Sequence, residues 1–103
     1  MLSFSKKPKK RDVYLSQESG NEFPLDKKNR PVICKEEGSK ASIFNAMSSN
    51  PWDGKIEVKQ TDFEGSVKIK EGGSYLNIED DYEIPNSFKR IFIGKYNGKF
   101  KSE

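Results

Sequence analysis

On either side of Gly72-Gly73 the chain alternates apolar and polar residues, and a glycine pair between two such runs is a two-residue hairpin signal. Closing that turn pairs Ile69 with Leu76 and Val67 with Ile78. Reading backwards through Thr61-Asp62-Phe63-Glu64, the same register pairs Val58 with Val67 and Ile56 with Ile69. Both turns select one apolar face, so a three-stranded antiparallel meander is expected over Lys55 to Glu79. Successive strand side chains point to opposite sides, which leaves Lys55, Glu57, Lys59, Ser66, Lys68, Lys70, Tyr75, Asn77 and Glu79 on the other face. That face is mostly basic and holds one aromatic ring.

Elsewhere the elements are short. Val13-Tyr14-Leu15 and Glu22-Phe23-Pro24-Leu25 flank the turn Glu18-Ser19-Gly20-Asn21 and predict a hairpin whose second strand Pro24 pushes to an edge. Asp26-Lys27-Lys28-Asn29 reads as a polar turn and Arg30 to Lys35 as a third strand. Ser39 can cap a short helix that ends near Met47, with Ile43, Phe44 and Met47 on one side. Asp80 to Asn86 reads as a loop that Pro85 keeps out of regular sheet. Ser87 to Tyr96 is a further strand, and Asn97-Gly98 after it predicts a terminal hairpin pairing Tyr96 with Lys99. The expected fold is all-β or β-dominated α+β: a small antiparallel sheet or barrel of about six short strands, with one short helix. A barrel of the oligonucleotide-binding type is among the forms that fit.

A chain of 103 residues makes one domain with one modest core. Charge divides it further. Of its nineteen basic and sixteen acidic residues, five basic ones and no acid fall in residues 1–11, and another five without an acid fall in residues 88–101. With Glu103 set aside, residues 12–87 carry nine bases against fifteen acids. Residues 1–11 are expected to be a flexible basic arm and residues 12–103 a single β-rich domain.

No apolar run reaches the ~18 residues of a membrane span, and the basic cluster lies in the wrong place for a secretory signal. The lone Cys34, in the apolar run Pro31-Val32-Ile33-Cys34, reads as a small buried residue in a reducing compartment. These signs lead to the expectation of a cytoplasmic protein, or a nuclear one if Lys6 to Arg11 serves as an address in a eukaryotic host. Lysine richness with little alanine or leucine suits a viral or mobile-element protein.

The chain has no histidine, so the common general base and the commonest metal ligand are both missing, and serine–histidine and cysteine–histidine schemes are excluded. No second cysteine exists for a zinc cluster. Asp53 with Glu57-Val58-Lys59 has the residue types of a magnesium nuclease, but Glu57 opposite Lys68 is more simply an ion pair across strands. Glu79-Asp80-Asp81 and Glu83 lack the glycine-containing pattern of a calcium loop. No enzyme, metal or cofactor is expected.

Binding remains. Proteins that hold single strands join cationic side chains, which meet phosphates, to aromatic rings, which stack on bases. On the expected register Tyr75, Phe92 and Tyr96 supply rings. Lys55, Lys59, Lys68, Lys70, Arg90, Lys95 and Lys99 supply charge, and the arm adds Lys6, Lys7, Lys9, Lys10 and Arg11. The competing reading makes Phe88 and Phe92 core residues, with Ile91 and Ile93 facing a second layer. A non-enzymatic, sequence-tolerant nucleic-acid-binding protein that prefers single strands is the expectation. The alternative is a small protein-binding module, an inhibitor or adaptor acting through strand edges or acidic turns.

Overall fold

The computed structural model describes residues 7–16, 31–48, 55–69 and 73–100. Seven strands carry the fold: β1 (Asp12–Ser16), β2 (Pro31–Glu36), β3 (Ala41–Ser48), β4 (Lys55–Glu57), β5 (Phe63–Gly65), β6 (Tyr75–Pro85) and β7 (Arg90–Tyr96). They form one sheet in the order β4-β6-β3-β2-β1-β7-β5, with every pairing antiparallel. The sheet curls into a half-barrel, in keeping with the small barrel expected from sequence.

Chain length explains the curl. β4 and β5 are the two edges of the sheet, yet residues 58–62 alone join them. Six backbone steps reach at most ~20 Å, whereas the outer strands of a flat seven-stranded sheet would stand about 29 Å apart. The edges therefore bend toward each other, and the side chains beside the link face inward. A single turn of 3-10 helix, Gln60–Asp62, makes the crossing.

The concave side is filled by Val13, Ile33, Met47, Val58, Phe63, Val67, Leu76 and Tyr96, with Ile56, Ile69, Ile78, Ile93 and Phe100 packed against them. Every apolar residue of the expected meander face thus lies in this core. The pairing differs, however. β4 pairs directly with β6, placing Ile56 opposite Leu76 and Glu57 opposite Tyr75, so the Glu57–Lys68 pair does not form. Residues 67–69 are not strand. The Gln60 carboxamide substitutes for a neighbouring strand there, donating to Val67 O at 2.8 Å and accepting from Ile69 N–H at 2.9 Å.

Three further expectations are corrected. The segment assigned to a helix is the strand β3, because Phe44 and Ala46 enter one apolar layer and Met47 the other, and the strand gains partners from β2 and β6. A continuous apolar run of this kind fits a doubly buried strand as well as a helix. The acidic stretch assigned to a loop lies inside β6, whose pairing to β3 runs to Pro85 opposite Ala41. The terminal hairpin is absent from the described residues: β7 ends at Tyr96, and the chain leaves as a tail held by Asn97 N–H donating to Asp62 O at 2.7 Å. The expected strand at Glu22 to Leu25, the turn at Asp26 to Asn29 and the glycine at position 72 lie outside the described residues.

The convex side carries a second apolar cluster of Tyr14, Val32, Cys34, Phe44, Ala46 and Ile84, with Tyr82 and Phe88 packed on it. Val32, Ile33 and Cys34 are all buried because β2 serves both layers. Burial, with the charges of Glu37 and Asp12 adding to it, pushes the Cys34 thiol up to about 12.

Candidate nucleic-acid interface

The first site element is the junction of the two basic ends. Arg11, the residue before β1, lies in the left-handed region at φ 77, a conformation that costs a non-glycine residue energy. Its N–H donates to Cys34 O and its carbonyl accepts from Tyr96 N–H, both at 2.8 Å. Its guanidinium Nη1 donates to Gly98 O at 2.7 Å and Tyr96 O at 3.2 Å, and the group lies 5.4 Å from the Phe100 ring centre. Pro8 is wholly buried, and Lys10 N–H donates to Glu37 Oε2 at 3.1 Å. Residues 8–11 are therefore packed onto the barrel. Arg11 holds the C-terminal tail and is not presented to a ligand, whereas Lys7, Lys9, Lys10 and Lys99 are exposed around it.

A bulge in β7 makes the second element. The β1–β7 register shifts between Val13, opposite Gly94, and Tyr14, opposite Phe92. Gly94 also meets Gly65 of β5, and a Cβ at Gly94 would run into the Glu64 carbonyl oxygen, so only glycine permits this approach. The shift puts Tyr96 on the other side of the sheet from Arg90 and Phe92, with which unbroken alternation would place it. Tyr96 turns into the concave core, 1% exposed, and its hydroxyl donates to Lys99 O at 2.6 Å. Burial, with Asp62 second, pushes its phenol up to about 12. It offers no free ring face to a base, and that expectation is corrected.

Arg90 is corrected too. It is 4% exposed, lies 5.1 Å from the Tyr14 ring centre, and donates from Nη1 to Asn86 O at 2.7 Å and Phe88 O at 3.2 Å. A guanidinium committed to carbonyls inside the second layer cannot meet a phosphate. Phe92, in contrast, is 40% exposed and is the one exposed large apolar side chain among the described residues. It meets Tyr14 edge-on, with ring centres 5.7 Å apart. The Tyr14 hydroxyl donates to Asp12 Oδ2 at 2.9 Å, and burial foremost raises its phenol far above the usual value. The other Asp12 oxygen is buried with no partner among the described residues.

The remaining expected residues are scattered. Lys59, Lys68 and Lys95 are exposed and Tyr75 is half-buried beside Glu57. Lys55 is described only as part of β4, and Lys6 and Lys70 lie outside the described residues. Acids are interspersed: Glu64 stands opposite Lys95, and its Oε2 accepts from Asn97 Nδ2 at 2.7 Å. Lys35 pairs with Asp81 at 3.1 Å, and Asp81 also accepts from the buried Asn45 at 2.7 Å. At the barrel mouth a cleft is lined by Ile56, Glu57, Asp62, Tyr96, Asn97, Gly98 and Lys99.

Sequence reasoning missed Asp12 and Tyr14 as the support of the convex face and Arg11 as a clasp. The meeting of Arg11 with Tyr96, Gly98 and Phe100 spans most of the chain, and no local pattern signals it. Among the described residues no cluster suits a metal ion, and no helix is long and apolar enough to cross a membrane. Comparison with family models, with curated proteins and with solved structures finds no match for this chain.

Proposed function

We propose that this protein binds nucleic acid through its phosphates, without reading sequence and without catalysis, and prefers single strands to duplex. The observation that carries the proposal is the clasp of Arg11 on the carbonyls of Tyr96 and Gly98, which unites the two basic ends at one pole. Apart in sequence, five positive charges at each end are two solvated tails. Together, Lys7, Lys9, Lys10, Lys95 and Lys99 make one cationic surface, and bound phosphates would release counterions from it. Glu36, Glu37 and Glu64 lie close by and moderate the field, which favours a weak, salt-sensitive binder over a tight one.

The preference for single strands rests on Phe92, since an exposed ring gains from a base only where the base is unpaired. A protein-binding module is the second reading. It is favoured by the outer edge of β6, which among the described residues pairs with β4 only over Tyr75 to Asn77 and then carries exposed Glu79, Asp81 and Glu83.

Fluorescence anisotropy with labelled oligo-dT and duplex DNA, at low and physiological salt, separates the two. Micromolar binding of oligo-dT that weakens steeply with salt is the expected result. Absence of binding to either strand form at low salt removes the proposal in favour of a protein partner.

A further inference from the structure

We infer that Phe92 is a preset stacking platform for one unpaired base, supported from beneath by Tyr14 and Arg90 and flanked by Lys95 for the adjoining phosphate. The inference rests on the nucleic-acid reading above and narrows its ligand to strands with accessible bases. A lone exposed phenylalanine is ordinary on a protein surface. This one differs in being the outermost member of a fixed stack. Arg90 is anchored by the Asn86 and Phe88 carbonyls, its guanidinium lies against Tyr14, and Tyr14 is tied through its hydroxyl to Asp12 and meets Phe92 edge-on. Phe92 is thus packed against Tyr14 while 40% of it remains exposed, so little side-chain freedom is lost when a base settles on it.

The Gly94 bulge supplies the charge. It turns Tyr96 inward, and Lys95, next to it in the strand, consequently points to the convex side that Phe92 occupies. The two residues stand three positions apart, about 10 Å along the strand, which a lysine side chain leaning toward the ring shortens. Two acids face Lys95 from the neighbouring strands: Glu64, whose Oε2 accepts from Asn97 Nδ2, and Asp12, which is buried and accepts from the Tyr14 hydroxyl, so Lys95 is the exposed cation of the group. Lys95 lies beside Tyr96, whose N–H donates to the Arg11 carbonyl, so it stands next to the junction of the two basic ends.

The test compares oligo-dT with a base-free deoxyribose-phosphate oligomer of equal length, by anisotropy, for the intact chain and for Phe92→Ala and Phe92→Trp. The intact protein should prefer oligo-dT by about 5- to 160-fold. Phe92→Ala should erase that preference while leaving base-free affinity and its salt slope in place and the domain folded. Phe92→Trp, made together with Trp52→Phe, should restore the preference and show indole quenching by oligo-dT alone. Equal affinity of the intact chain for the two oligomers, or a preference that survives Phe92→Ala, overturns the inference and leaves the phosphate-binding proposal standing. If neither oligomer binds, both fall. Self-association that Phe92→Ala abolishes, with no preference for bases, also overturns it, in favour of a contact between copies.

Discussion

The two faces of this one sheet are built by different rules. The concave face draws an apolar residue from every strand and packs them into a continuous interior that includes the 58–62 link and residues 67 and 69. The convex face is apolar only over β1, β2, β3 and β6, and buries Asp12, Ser42 and Arg90 among Tyr14, Phe44 and Ile84. The contrast teaches that the interior makes the fold, while the convex layer holds charged groups in fixed places, a cost in stability that an interior rarely bears without a positioning role.

The largest expected difference between the faces is in stability. Leu76 is wholly buried in the concave core, and Leu76→Ala should cost about 2–5 kcal/mol, enough to unfold much of so small a domain. Phe92→Ala on the convex face should cost less, about 1–1.5 kcal/mol for the lost Tyr14 contact. Urea titration of both variants checks this, and equal losses would break the distinction between the faces.

Next is the bulge that links them. Gly94→Ala should cost about 1–3 kcal/mol, because its Cβ must displace the Glu64 carbonyl and with it β5. Loss of amide-exchange protection should concentrate at Phe63, Glu64 and Gly65, and protection lost evenly over the sheet would show that β5 is not held there.

The last comparison concerns alkaline pH. Cys34 is raised from 9.0 to about 12 by burial, so the folded state keeps the proton that the unfolded chain releases. Its contribution is fully present below pH 9.0 and is lost as pH rises toward about 12, with a slope of up to about 1.4 kcal/mol per pH unit. Tyr96 behaves in the same way from 10.0 to about 12. Urea midpoints at pH 8, 9.5 and 10.5 should therefore fall, and Cys34→Ala should flatten the first part of the fall. An unchanged slope would show that the thiol does not report burial of the convex layer.

These differences also mark what could be read from the chain. Ile56, Val58, Val67, Ile69, Leu76 and Ile78 were legible as one face because period-two alternation survives whichever strand ends up alongside. Their pairing was not, since a glycine pair signals a turn but cannot say that β4 prefers β6 over the nearer residues 67–69. Phe44 to Met47 misled because burial on both sides abolishes alternation altogether. At the site, Phe92 and Lys95 stood out by residue type, but Gly94 shifted the phase, taking Tyr96 inward, and Arg90 was sequestered by carbonyls that no local pattern announces.

The sheet's borders bear on how molecules of this protein behave in company. β4 and β5 are three residues each, too short to template a neighbouring chain, and the longer border of β6 beyond Asn77 displays Glu79, Asp81 and Glu83. Asp81 is engaged by Lys35 and Asn45, but Glu79 and Glu83, spaced along a border left unpaired among the described residues, repel the same border of another copy and discourage runaway strand addition. The acidic middle of the chain thus acts as a guard against aggregation in a protein whose central strands β2 and β3 are apolar on both sides.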